Sequence, residues 1–287
     1  MPELPEVESL CRFLDDRCRG LVVATTQVVD IACLKTADPP LDALHGLAVE
    51  QVTRRGKFLC LGIGGLWLVT HLARAGWLRW HDAVPPAPAR PGRGPLAFRL
   101  AFADGSGFDL TEAGTRKRLA VYVARDLAAV PGIASLGPEP LDAAFTPSVL
   151  DQILDAAKGA QLKGVLRDQH QIAGIGNAYS DEIAWTARLS PFAACGRLDP
   201  ESRQRLYDAI HETLTSAISR SGDVAAAGLK AEKKAGLLVH GRTGQPCPAC
   251  GTPIAEVSFA DSSLQYCPTC QTGGRTLADR RLSRLLK

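Results

Sequence analysis

Two pairs of cysteines near the C-terminus, Cys247-Pro-Ala-Cys250 and Cys267-Pro-Thr-Cys270, are separated by sixteen residues. Each C-x2-C can place two thiolates on one ion, and a spacer of hairpin length brings the pairs together. Four sulfur ligands leave no open coordination position, so the spacing predicts one structural Zn2+ and no catalytic metal. Ile254 to Tyr266 is too small to bury a core, and metal binding would stabilise its fold. A redox pair of thioredoxin type would explain one motif and leave the other idle. The remaining cysteines, Cys11, Cys18, Cys33, Cys60 and Cys195, are scattered among apolar neighbours and are expected in the core.

At the opposite end, Met1-Pro2-Glu3-Leu4-Pro5-Glu6 puts two acids beside a proline. The small second residue favours removal of the initiator methionine, after which Pro2 presents a secondary amine. Such an amine is nucleophilic when neutral. Alone, this terminus reads as an ordinary entry to a helix.

The elements that must position these groups follow from periodicity. Apolar Val7, Leu10, Cys11 and Leu14 recur at i, i+3, i+4 and i+7, which predicts an amphipathic helix over Pro5 to Arg17. Strands are expected at Leu21 to Val29, Leu47 to Gln51, Lys57 to Ile63, Leu66 to His71, Phe98 to Phe102 and Phe108 to Leu110. Tight turns fit Gly64-Gly65 and Asp104 to Gly107. Pro85 to Pro95, rich in proline and glycine, reads as an irregular surface loop. Beyond a proline-rich connection from Pro131 to Pro147 the period becomes helical. Thr146-Pro147 and Asp199-Pro200 each place a capping side chain before a proline suited to a first helical turn. Leu162 to Arg188 reads as two helices broken at Ala173-Gly174-Ile175-Gly176-Asn177. No internal repeat is found. The fold class expected is α+β and multidomain: a β-sandwich with a helix over 1–135, a helical domain over 136–240, and a zinc-finger β-hairpin over 241–287.

Hydrophobic residues make up 46% of the 287, too many for a disordered chain. The longest apolar run, Leu59 to Leu72, is broken by Gly and His and falls short of the ~20 residues of a membrane span. The acidic, proline-rich start does not resemble a signal peptide, so a cytoplasmic protein is expected. Net charge is +3 overall, but Lys230 to Lys287 carries 9 Lys+Arg against 4 Asp+Glu. That asymmetry suits a C-terminal part that touches a polyanion.

From Met1 to Glu8 the sequence resembles the formamidopyrimidine-DNA glycosylase and endonuclease VIII family. The resemblance continues through Arg55-Gly56-Lys57-Phe58-Leu59, His71-Leu72, Leu136-Gly137-Pro138-Glu139-Pro140-Leu141, Gly174-Ile175-Gly176-Asn177 and His240-Gly241-Arg242. It implies a β-sandwich, a helix–two-turn–helix domain and a zinc finger, with damaged DNA as partner. It implies base excision followed by β- or β,δ-elimination at the abasic site. The residues make chemical sense of that activity. Attack of the Pro2 nitrogen on sugar C1′ gives an iminium, an electron sink that acidifies the 2′ proton and lets the 3′ phosphate leave. Glu3 is placed to protonate the sugar ring oxygen.

The resemblance further assigns Lys57 to the damaged nucleotide's phosphate and Glu6 to a structural partnership at the site. It assigns Lys163 and Asn177 to the DNA backbone, where Gly174 and Gly176 would allow close approach of a phosphate. Arg242 is a further phosphate candidate. Several departures from the family pattern bear on the lesion. Arg74 stands where the family inserts a methionine into the gap left by a flipped nucleotide. In Gly114 to Leu119 no phenylalanine is present; Arg116 or Lys117 matches the family's arginine, and Leu119 is the nearest apolar wedge. Ser262 stands where relatives carry a finger arginine, for which Arg275 is a substitute, and Ser221 to Val239 is shorter than the loop that covers oxidised guanine. Together these favour oxidised pyrimidines, ring-opened purines or a bulkier lesion over 8-oxoguanine. A non-catalytic binder of abasic DNA on the same scaffold is the rival reading, and a zinc ribbon fused to an unrelated domain leaves the N-terminal half unexplained. A monomer is expected.

Overall fold

The apolar stripe of the first helix is buried as its spacing requires. Helix α1 (Leu4–Cys18) turns Val7, Leu10, Cys11 and Leu14 inward. The computed structural model describes residues 1–85, 94–114, 116–222, 224–259 and 262–278. Most of the proline-rich loop and the basic end of the chain, residues 279–287, lie outside the described residues.

Contacts divide the chain into two compact units, Met1–Leu136 with Arg220–Glu232, and Gly137–Ser219 with Lys233–Lys287. The first unit holds two four-stranded sheets. One runs β1 (Val23–Val28), β6 (Leu96–Phe102), β7 (Gly107–Glu112), β5 (Gly76–His81); the other runs β2 (Val49–Arg55), β3 (Phe58–Ile63), β4 (Leu66–His71), β8 (Ala120–Ala124). Every neighbouring pair is antiparallel. Leu59, Leu61, Leu68 and Val121 of the second sheet share one core with Leu78, Phe98, Leu100 and Phe108 of the first and with α1, which makes the expected sandwich. The second sheet is buried on its other face too, where Cys60, Val69 and Ala124 meet Val130. Burial on both faces is why Leu59 to Leu72 reads as a long apolar run and not as an alternating one.

Strands β5 and β8 lie where the sequence pattern assigned no element. Gly76 opens the one and Arg79 interrupts its apolar residues, and the charged run before Leu119 hides the five residues of the other. A short helical turn, α2 (Pro131–Ala134), ends the first unit's continuous stretch. Segment 220–232 returns to this unit because Ala226 and Leu229 are buried in its core, while Glu232 accepts hydrogen bonds from Arg220 and Ser221.

The second unit is helical: α3 (Pro147–Ala157), α4 (Leu162–Arg167), α5 (Asn177–Thr186) and most of α6 (Pro200–Ser221). Thr146 caps α3, and the Asp199 carboxylate accepts the Ser202 N–H at 2.7 Å to cap α6. Helix α4 stops sooner than periodicity suggests, because the Asp168 carboxylate accepts the His170 N–H and turns the chain. A helix not foreseen, α7 (Leu229–Gly236), occupies the stretch read as a short loop. The unit closes with the hairpin β9 (Ala255–Ser258) and β10 (Ser263–Tyr266) and the short α8 (Pro268–Thr272). No helix among the described residues is long and apolar enough to cross a membrane.

Candidate active site and metal centre

Glu3 is the N-cap of α1, in extended backbone. The Glu6 carboxylate accepts the Glu3 backbone N–H at 2.8 Å, in the reciprocal arrangement of a capping box. Pro5 falls in the first turn, where its missing N–H removes no helical hydrogen bond. Pro2, Glu3 and Glu6 are all buried, while Met1 is 42% exposed. With Met1 attached, the Pro2 nitrogen is an amide; loss of that exposed residue uncovers it as an amine.

Lys57 follows Gly56, whose φ of 52° turns β2 into β3, and its side chain is buried. Arg54 ties this turn to α1: its guanidinium donates to the Glu8 carboxylate at 3.1 Å and to the Gly56 carbonyl at 2.9 Å. The helix that begins with Glu3 and the turn that carries Lys57 are therefore fixed to each other. His71 pairs with Phe58 across β3 and β4, with ring centroids 4.7 Å apart. Burial, helped by the nearby Lys57 charge, pushes the His71 imidazole down to about 4, so it is neutral at pH 7. His71 appeared in the sequence only as part of a motif; its neighbourhood with Lys57 needs the register of the hairpin to be seen.

The loops with Arg74 and Arg116 leave the same end of one strand pair. Gly76 pairs with Glu112, and the Ala113 N–H donates to the Ala75 carbonyl at 3.3 Å. A Cβ at Gly76 would stand 2.1 Å from the Leu72 carbonyl oxygen, so only glycine fits there. Glu112 is buried, and its carboxylate accepts the N–H groups of Arg118 and Leu119 at 2.9 Å. Arg74 and Arg116 are exposed, whereas the Lys117 ammonium is tied back to the Glu112 carbonyl. Leu119 is not a wedge: it is 1% exposed, in the sandwich core.

In the second unit the phosphate-contact candidates have other partners. Lys163 is buried, and its ammonium donates to the Asp181 carboxylate, the Ser180 hydroxyl and the Asn177 carbonyl. Three donors meet three acceptors, so in this state Lys163 has none to spare for a phosphate. Asn177 begins α5 as expected, but its Nδ2 donates to the Ser263 carbonyl at 2.9 Å, and its Oδ1 is buried without a partner. Arg242 gives its guanidinium to the carbonyls of Lys234, Ala235 and Leu237 at the end of α7 and to the Gln245 side chain at 3.3 Å. That is a helix cap. Ser262 is half-buried, and Arg275 is exposed beyond the last cysteine.

Asp181 and Glu182 escaped the sequence reading. Asp181 joins Lys163 to His240 Nδ1 at 2.7 Å and to the Gln265 N–H. Glu182 accepts the N–H groups of Leu238, Val239 and His240 at 2.7–2.9 Å. Burial pushes the Glu182 carboxyl up, and those three N–H groups pull it back. Two adjacent acids in the apolar helix that follows Gly-Asn were the available signal.

The sulfurs of Cys247, Cys250, Cys267 and Cys270 all lie within 4.8 Å of one another. Tetrahedral zinc with Zn–S bonds of about 2.3 Å sets its thiolates roughly 3.8 Å apart, so the donor set and its size fit one structural ion. Cys11, Cys18, Cys33, Cys60 and Cys195 are buried in cores, as expected.

Three family models match in order: the formamidopyrimidine-DNA glycosylase N-terminal domain over residues 1–121, its helix–two-turn–helix domain over 136–227, and the zinc finger found in that enzyme and isoleucyl-tRNA synthetase over 244–273. The formamidopyrimidine-DNA glycosylase of Symbiobacterium thermophilum is 36% identical over 292 residues, spanning 98% of this chain and 93% of the relative. An uncharacterised formamidopyrimidine-DNA glycosylase-like protein of Mycobacterium tuberculosis is 52% identical over 161 residues, 56% of this chain and all of that relative. Among solved structures, the Lactococcus lactis formamidopyrimidine-DNA glycosylase bound non-covalently to DNA with an abasic site superposes with a TM-score of 0.81 at 29% identity, covering 94% of this chain and 99% of the other. MutM in complex with DNA containing carbocyclic 8-oxoguanine gives 0.82 at 28% identity, covering 94% and all of the other. The chain belongs to the formamidopyrimidine-DNA glycosylase family.

Proposed function

We propose that the chain is a DNA glycosylase and abasic-site lyase of base excision repair, with Pro2 as nucleophile once Met1 is removed. The observation that carries this reading is the buried Pro2-Glu3 step held by Glu6: an amine-bearing residue and a carboxyl group, fixed side by side at the start of a helix. The Pro2 nitrogen lone pair attacks C1′, the N-glycosidic bond breaks, and the base leaves with the electron pair and takes the proton that the Pro2 nitrogen gives up. Glu3 gives its proton to the ring oxygen as the C1′–O4′ bond opens and the iminium forms. Loss of the 2′ proton then expels the 3′ phosphate, and water releases Pro2. Lys57, fixed to α1 through Arg54, supplies a cation for the phosphate beside the reacting sugar. Asn177 at the start of α5 is a phosphate contact only after exchanging its bond to Ser263. Lys163 and Arg242 are likewise tied to scaffold groups and would contact phosphate only after exchanging those bonds.

Arg74 and Arg116, on loops that leave one end of the β5–β7 pair, face the space of the flipped nucleotide: Arg74 stands where the family uses a methionine, and Arg116 matches the family's arginine with no phenylalanine beside it. This favours oxidised pyrimidines or ring-opened purines over 8-oxoguanine. A DNA repair role places the protein in the cytoplasm, on the nucleoid. The test is borohydride trapping of the Met1-processed chain on abasic DNA: a covalent adduct lost in Pro2→Gly supports the proposal. Tight binding of abasic DNA without any adduct makes the chain a non-catalytic binder.

A further inference from the structure

One helix carries several of the polar links to the metal finger among the described residues. Along α5, Asn177, Asp181, Glu182 and Trp185 stand at i, i+4, i+5 and i+8, on one face. Asn177 donates to the Ser263 carbonyl, Asp181 accepts from Gln265 and His240, and Glu182 accepts three backbone N–H groups leading into the finger. Past the helix end, the Gln271 amide donates to the Leu189 carbonyl and its oxygen accepts the Cys267 N–H. The fourth residue of the face behaves differently. Trp185 directs its indole N–H at the sulfur of Cys247, 3.4 Å away, and its ring packs against Val239, Cys247, Ile254 and Cys267.

We infer that Trp185 is a positioning residue for the metal centre: its indole N–H donates to the metal-bound thiolate of Cys247 and restrains the ion from leaving. An indole N–H is a donor only, and in half-buried Trp185 it is the Cys247 sulfur that receives it. A zinc-bound thiolate keeps lone pairs and excess negative charge. A hydrogen bond to such an outer partner fixes the ligand's orientation and tunes the metal. A phenylalanine would fill the same space and pack equally well, so packing alone does not explain the aim of the N–H at sulfur. Because Trp185 shares a helix with Asn177, the same contact ties metal retention to the start of α5.

The experiment uses the full-length, zinc-loaded chain and its Trp185→Phe variant, with Trp77→Phe as a control for loss of an indole elsewhere. Transfer of zinc to a chromophoric chelator should quicken about five-fold in Trp185→Phe, the factor corresponding to a net hydrogen bond of about 1 kcal/mol. Trp77→Phe should match the parent. With Co2+ in place of zinc, the thiolate-to-metal charge-transfer band should move to lower energy in Trp185→Phe, because loss of the donor raises the sulfur lone pair. Unchanged release and an unchanged band overturn the inference. Should Trp185→Phe fail to fold, the parent chain loaded with 113Cd2+ decides. A scalar coupling between the Trp185 indole N–H and cadmium supports the bond, and no coupling on that folded protein overturns it.

Discussion

The Lys163 ammonium is buried against the Asp181 carboxylate, and Asp181 in turn holds His240 and the Gln265 N–H. Removing one partner of a buried pair leaves the other charge uncompensated, which typically costs 3–5 kcal/mol. Lys163→Met is therefore expected to lower the unfolding free energy by about that amount in a denaturant titration. The same variant, at a temperature where it remains folded, should keep the parent's slope of log K for DNA against log salt. A phosphate contact would cost about 0.9 of that slope on duplex DNA. A fall in slope with little loss of stability would return Lys163 to the DNA interface.

His71 gives stability a pH dependence of definite sign. Its folded pKa, about 4, lies below the ordinary value of 6.5, because burial and Lys57 disfavour the imidazolium. Above 6.5 both folded and unfolded chains are neutral at this site, and its contribution is fully present. As pH falls from 6.5 towards 4 the unfolded chain takes the proton and the folded one does not, so stability drops by up to about 3 kcal/mol. His71→Phe should flatten this stretch of the stability profile. The His71 ring proton, followed by NMR, should hold its neutral shift down to near pH 4; titration near 6.5 would refute the assignment.

Cysteine chemistry separates the metal site from the core. Burial pushes the Cys11 and Cys18 thiols up to about 12 and those of Cys33 and Cys195 up to about 11, so none is a nucleophile at neutral pH. The zinc-loaded native chain should resist iodoacetamide. After chelation, Cys247, Cys250, Cys267 and Cys270 should be alkylated first, with the finger's protection from proteolysis lost at the same time. Mass spectrometry of the digested protein reads the order. Modification of Cys11 or Cys18 before the four finger cysteines would mean that the sandwich core opens more readily than the finger.

What the sequence disclosed and what it withheld divide by range. Groups within a few residues of one another were legible: the α1 stripe, the caps at Thr146 and Asp199, the paired cysteines, the glycine turn at Gly64-Gly65. Their physics is local, and spacing encodes it directly. Lys163 and Asn177 read as a free cation and a free amide because their side chains' partners lie 14 to 86 positions away, and Arg242 read as free because the helix whose end it caps was not foreseen. Lys163 and Asp181 sit on different helices, and nothing in either local pattern announces the other. Leu119 read as an exposed wedge because it follows Arg116, Lys117 and Arg118, while the Glu112 carboxylate bends the loop and sends it into the core. The stretch after Ser221 read as a loop, although Ala226 and Leu229 anchor it in the first unit's core. No periodicity over so few residues reveals that.

Glu3 and Glu6 can be told apart by substitution, since one is proposed to act on the substrate and the other on the backbone. Glu3→Gln removes the proton donor and keeps the size, so base excision should fall by 10²-fold or more, within the range of general acid catalysis. Borohydride trapping on DNA that already lacks the base should persist, because the open-chain aldehyde of an abasic sugar condenses with the Pro2 amine without protonation of a ring oxygen. Glu6→Gln retains an oxygen able to accept the Glu3 N–H, and little should change in either assay. Glu6→Ala leaves that buried N–H without its partner, a cost of about 1–3 kcal/mol. It also frees the start of α1, so excision and trapping should decline together as Pro2 and Glu3 lose their placement. Glu6→Gln as damaging as Glu3→Gln in excision alone would mean that Glu6, too, exchanges protons with the substrate, and single-turnover kinetics on one lesion and one abasic duplex distinguish these outcomes.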